Sequence, residues 1–144
     1  MPGKIRSWLE QNQRWLAIAL TILGIIFYFS QSIHFAKTIP STVWDEGMYV
    51  YKGYLFASGE YTPFEDSGPW TNQMPFAYFM AGWPQLLFGA GFRTGRYLAV
   101  ALGTLGLIGL ALAANRLSGR WAAAAAAWTV ALNAGWIQAY SQLF

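Results

Sequence analysis

Apolar residues occur in long uninterrupted runs along this chain, and one polar block separates the first run from the others. The first run, residues 15–35, contains no Asp, Glu, Lys or Arg, and two more uncharged runs cover residues 97–114 and 121–140. At 1.5 Å per residue, about 20 helical residues cross a hydrocarbon core of about 30 Å. The pattern therefore predicts three transmembrane helices.

The polar block between the first two runs, residues 36–95, is predicted to be a large outer loop that contains two juxtamembrane helices. The capping pattern at Thr42 predicts a helix over about 43–57. Residues 74–89 are apolar and aromatic, but a segment of this length that contains Gly82 and Pro84 is short for a span. We expect it to lie at the outer interface, which makes the chain an all-α membrane protein.

Basic residues set the predicted orientation. Residues 1–14 carry three of them, and the hairpin 115–120 carries Arg116 and Arg120, so both segments are expected on the cytoplasmic side of a multi-pass inner-membrane protein. If 74–89 crossed the bilayer, the hairpin would instead lie outside. A cleavable signal peptide is the alternative for residues 15–35, but the run is long and has no clear small-x-small cleavage site.

Composition narrows the function classes. Only 10% of the residues are charged, against about 25% in soluble domains. Eight Trp and eight Tyr suit the lipid–water boundary. The net charge of +3 comes without a long basic run, which argues against a nucleic-acid partner, and the absence of cysteine excludes disulfides and thiolate metal sites.

Candidate chemistry is concentrated in the segment 44–78, which holds five of the six carboxylates. Asp45, Tyr49 and Lys52 follow helical spacing i, i+4 and i+7, so a carboxylate, a phenol and an ammonium could face one ligand. Glu46 points about 100° away from Asp45 on the same helix. The alternative is that Asp45 only caps the helix.

Two further groups of charged residues have simpler explanations. Arg93 and Arg96 precede the second run and could reach an anionic lipid headgroup, although arginines at helix ends commonly extend to the interface without a specific ligand. Glu65 and Asp66 are typical of a solvated turn. They leave a divalent cation open as a cofactor, but we predict no metal site.

Several short motifs, in order, resemble one family of membrane enzymes. They are D-E-G-x-Y at 45–49, S-G-E-Y at 58–61, Q-M-P-F-A-Y at 73–78, L-F-G at 87–89, and Arg96 followed by Leu98 and Ala101-Leu102. Together they resemble the start of the lipid-linked-sugar glycosyltransferases of the C class (GT-C), in the branch with protein O-mannosyltransferase-like and aminoarabinose-transferase-like enzymes.

The resemblance implies a sugar donor carried on a polyprenyl phosphate and an acceptor at the outer face. It implies Asp45 as general base with Glu46 beside it. It places Gln73 and Tyr78 in a substrate-binding signature. Gln73 stands where the family has lysine, so Lys52, Arg93 or Arg96 would have to supply the phosphate-binding cation.

Such enzymes have many more spans, so the chain is expected to be an N-terminal portion, completed by further membrane segments or subunits. The alternative is a small non-catalytic membrane subunit that packs through glycine- and alanine-rich helices and stabilises a larger complex.

Overall fold

The computed structural model describes residues 2–39, 44–62 and 75–142, and within these ranges it contains helices and no strand. The all-α prediction is confirmed for this part of the chain. The helices, in chain order, are α1 (Pro2–Thr38), α2 (Trp44–Ser58), α3 (Pro75–Phe88), α4 (Phe92–Ser118), α5 (Arg120–Ala131) and α6 (Ala134–Ala139).

Two helices are long and apolar enough to cross a membrane: residues Asn12–Thr38 of α1, and the whole of α4. Both leave large apolar side chains exposed, among them Leu23 at 53% and Leu105 at 63%. A soluble protein rarely exposes such continuous apolar surface, because water contact with it is unfavourable. These two helices support the prediction of a membrane protein. Helix α1 also includes most of residues 1–14, which the sequence sets apart from the span.

The third predicted span, 121–140, is interrupted. Helix α5 ends at Ala131, and α6 begins after Asn133, whose side-chain Oδ1 accepts a hydrogen bond of 3.2 Å from the backbone N–H of Trp136. This is the bond of an N-terminal cap, which starts a new helix. The twelve residues of α5 reach only about 18 Å. A third crossing therefore stays a prediction.

The chain divides into two compact units, the first made of Met1–Gln31 with Thr104–Ile137. In this unit α5 packs on α1 at Gly24, where an added Cβ would lie 3.2 Å from the Cβ of Ala127. The indole N–H of Trp128 donates a 3.0 Å hydrogen bond to the carbonyl of Leu20, and its ring lies 5.7 Å from that of Phe27. Small residues thus permit a close approach that the tryptophan then fixes.

The second unit is made of Ser32–Gly103 with Gln138–Phe144, and in it α2 packs directly against α3. The two helices meet at glycines: a Cβ on Gly53 would lie 2.5 Å from the carbonyl oxygen of Tyr78, and one on Gly82 would overlap the backbone of Gly53. Backbone therefore touches backbone at this crossing. The sequence predicts bounds of 43–57 and 74–89 for these two helices, while their place at a membrane surface stays a prediction.

Candidate functional site

A buried ion pair joins the start of α2 to the start of α4. The Nε of Arg96 donates to Glu46 Oε1 at 2.8 Å, and its Nη2 donates to Glu46 Oε2 at 3.0 Å. Glu46 is 0% exposed and Arg96 is 6% exposed. This is the planar two-point geometry that makes arginine–carboxylate pairs strong and directional. Because the pair is removed from water, each charge depends on the other.

Arg96 also completes the end of α1. Its Nη1 donates to the carbonyl oxygens of Ile39, at 2.9 Å, and Ala36, at 3.3 Å. The last carbonyls of a helix have no partner within the helix, so a cation placed there satisfies them and suits the helix dipole. One arginine therefore fastens three helix ends together.

Asp45, the neighbour of Glu46, is exposed in the first turn of α2. One helical turn further along, Tyr49 stacks on Tyr78 of α3 with ring centroids 4.8 Å apart. Burial raises the pKa of Tyr78, and the nearby Tyr49 and Asp45 raise it further. The structure thus brings Asp45, Tyr49 and Tyr78 together, with an accessible carboxylate beside a phenol that stays protonated.

Lys52 continues this face of α2 and is half-buried. Burial lowers the pKa of its ammonium group, because a low-dielectric surrounding disfavours the charged form.

Cationic side chains line an open cavity of about 460 Å³ between the end of α1 and the start of α4. The cations in its wall are Lys37, Arg93 and Arg96. The guanidinium of Arg96 already binds Glu46 and two carbonyls. The positive charge that the cavity presents to solvent therefore comes from Lys37 and Arg93, which are both exposed. The arrangement suits an anion such as a phosphate. Nothing in the sequence pattern singles out Lys37.

Gln85 is a second residue that the sequence pattern does not reveal. It is 2% exposed, and its Nε2 donates to the carbonyls of Val50 in α2, at 2.8 Å, and Ala81 in α3, at 2.9 Å. Its Oε1 accepts from the N–H of Gly91, at 3.0 Å. Gln85 therefore connects the α2–α3 pair to the turn that leads into α4 and carries the wall of the cationic cavity.

The remaining predicted site residues lie elsewhere. Gln73, Glu65 and Asp66 fall outside the described residues. Within the described ranges, no group of three His, Cys, Asp or Glu side chains is placed to hold a metal ion.

Comparison of the chain with protein-family models, with curated proteins and with solved structures finds no match in any of the three.

Proposed function

We propose that this chain is the N-terminal part of an integral-membrane glycosyltransferase. The enzyme would move a sugar from a polyprenyl-phosphate carrier to an acceptor at the outer face of the inner membrane. The observation that carries the proposal is the Glu46–Arg96 pair, because Glu46 adjoins the exposed Asp45 while Arg96 lines the cationic cavity. A base candidate therefore adjoins one partner of this ion pair, and the other partner lines a cation-rich cavity that suits the carrier phosphate.

The chemistry assigns each group a step. An acceptor hydroxyl gives its proton to the Asp45 carboxylate as its oxygen bonds to the anomeric carbon of the sugar. The bond between that carbon and the phosphate oxygen breaks, and the lipid phosphate leaves with the electron pair. Lys37 and Arg93 are suited to stabilise the negative charge of that leaving group. Tyr49 and Tyr78 offer an aromatic wall beside Asp45.

Membrane topology provides a first test. In this proposal residues 36–95 face outward and the hairpin 115–120 faces the cytoplasm, with α3 at the outer surface. Helix α3 has fourteen residues, about 21 Å, and its exposed end includes Leu87 and Phe88. We expect an impermeant thiol reagent to label Ser67→Cys, but not Ser118→Cys, in intact cells. The opposite labelling contradicts the topology.

The catalytic proposal is tested with Asp45→Asn in the complete enzyme. Turnover with a lipid-linked donor should fall roughly 10²–10⁴-fold, the usual contribution of a general base. Stability should change little, because Asp45 is exposed and Asn also suits a helix start. Transfer at the wild-type rate by a folded Asp45→Asn enzyme would remove the catalytic role.

The anion site is tested separately. Lys37→Gln and Arg93→Gln should raise the KM for the lipid donor more than they lower kcat, because they bind the carrier phosphate rather than the acceptor. Arg116→Gln is the matched control, since it removes one exposed arginine that does not line the cavity. Equal effects of all three variants would show that the cavity does not bind the donor.

A non-catalytic subunit is the second candidate, and one observation favours it. A Cβ added at Gly106 or Gly109 of α4 would meet nothing within 4 Å in the described part of the chain. Small residues on an open helix face are typical of sites where another membrane helix packs closely. Unchanged transfer by Asp45→Asn, together with loss of complex assembly in Gly106→Leu, would support this candidate instead.

A further inference from the structure

The first compact unit contains a cavity of a different character from the cationic one. Its volume is about 210 Å³, and α1, α4 and α5 form its walls. The wall is mainly aliphatic, with Ile18 and Ile25 from α1 and Ile108 and Ala111 from α4. The Thr21 hydroxyl in the same wall donates to the carbonyl of Ala17 at 2.8 Å, so it places no unsatisfied polar group there.

Two polar side chains, Asn115 and Arg120, line the cavity beside the α4–α5 hairpin. Both are exposed, and none of the described residues that line the cavity is acidic. Helix α5 also has no acidic residue in its first turn. The cavity therefore combines an aliphatic wall with a positive charge that no lining carboxylate offsets.

We propose that this cavity binds one anionic phospholipid, with an acyl chain along the isoleucines and the headgroup phosphate at Arg120. The aliphatic wall favours an acyl chain, because contact between apolar surfaces removes both from water. Charge favours an anionic headgroup, because basic residues at the cytoplasmic surface attract anionic lipids. The inference rests on the membrane placement of α1 and α4 and is independent of sugar transfer.

Native mass spectrometry of the purified chain in detergent tests the proposal, with palmitoyl-oleoyl phosphatidylglycerol and phosphatidylcholine as probes. We expect one phosphatidylglycerol molecule to be retained in preference to phosphatidylcholine. Arg120→Gln should weaken phosphatidylglycerol binding about fivefold, the equivalent of about 1 kcal/mol for one basic residue near an anionic surface. The binding of phosphatidylcholine should change much less.

Arg116→Gln is the matched control, because Arg116 is exposed near the same hairpin and does not line the cavity. It should leave the lipid preference nearly unchanged. A second variant, Ala111→Leu, keeps every charge and fills the cavity, so it should reduce binding of both lipids while circular dichroism shows the helices intact.

Three results would overturn the proposal. Equal losses in Arg116→Gln and Arg120→Gln would indicate diffuse attraction to the surface. Equal binding of the two lipids by the unmodified chain would exclude headgroup recognition. Efficient disulfide cross-linking of Ile22→Cys between two copies would show that a helix of a second copy occupies the cavity instead.

Discussion

The adjacent carboxylates Asp45 and Glu46 should respond very differently to the same chemical change. Glu46→Gln removes a charge that is 0% exposed and takes the carboxylate partner from Arg96, 6% exposed, while the hydrogen bonds from Arg96 to two backbone carbonyls stay. Breaking a buried ion pair on one side costs about 3–5 kcal/mol. The two carbonyls still accept hydrogen bonds from Arg96 and partly compensate its charge, so we expect Glu46→Gln to lower the free energy of unfolding by about 3 kcal/mol. Asp45 is exposed, so Asp45→Asn should lower the free energy of unfolding by less than about 1 kcal/mol.

Equilibrium unfolding of the purified chain in mixed micelles, followed by circular dichroism, measures both values. A double-mutant cycle separates the pair from its surroundings. Arg96→Met alone should be destabilising, but the double variant with Glu46→Gln should cost less than the sum of the single variants, because no unpaired charge stays buried. Equal destabilisation by Asp45→Asn and Glu46→Gln would refute the reasoning, and so would strict additivity in the cycle.

Three further predictions follow from packing, titration and capping. Gly53→Ala and Gly82→Ala should each be about 1–3 kcal/mol less stable than Gly47→Ala, measured by the same unfolding assay. A Cβ at Gly47 meets nothing within 4 Å in the described structure, so this control retains the helix-propensity gain without the clash. The pKa of Tyr78 is raised in the fold, so the protonated phenol should stabilise the protein at lower pH, and this stabilisation should be lost as the pH rises above about 10. The free energy of unfolding of Tyr78→Phe should therefore fall less at alkaline pH than that of the unmodified chain. Asn133→Ala should cost about 1 kcal/mol and fray α6 in hydrogen exchange; unchanged protection there would argue against the cap.

Local patterns in the sequence predict the all-α class, because membrane spans and helix caps depend on residues that are close together along the chain. Runs without charge predict the long apolar part of α1 and of α4, and the carboxylates after Thr42 mark where α2 begins. The break at Asn133 has one local signal within the apolar run: asparagine is a favoured N-cap residue, and here its side chain accepts from the backbone N–H of Trp136. A count of apolar residues alone does not detect this helix break.

The main contacts of the candidate site have no local signal. Glu46 and Arg96 are fifty positions apart, and Gln85 lies thirty-five from Val50, so nothing in their immediate sequence pairs them. Helical geometry predicts only that Glu46 points away from Asp45. A general physical rule could have narrowed the choice: in a chain with so few charges, a buried one must find a partner. The rule does not identify which residue is the partner.

The distance along the chain between Glu46 and Arg96 has a consequence for biosynthesis. At about 5–20 residues per second, a ribosome needs roughly 3–10 s to add the residues between them. During that interval the end of α1 and the start of α2 have already been made, but the arginine that will join them does not yet exist. Until then the Glu46–Arg96 ion pair and the hydrogen bonds from Arg96 to the carbonyls of Ala36 and Ile39 cannot form, so the arrival of residue 96 sets the moment when this part of the protein can first assemble.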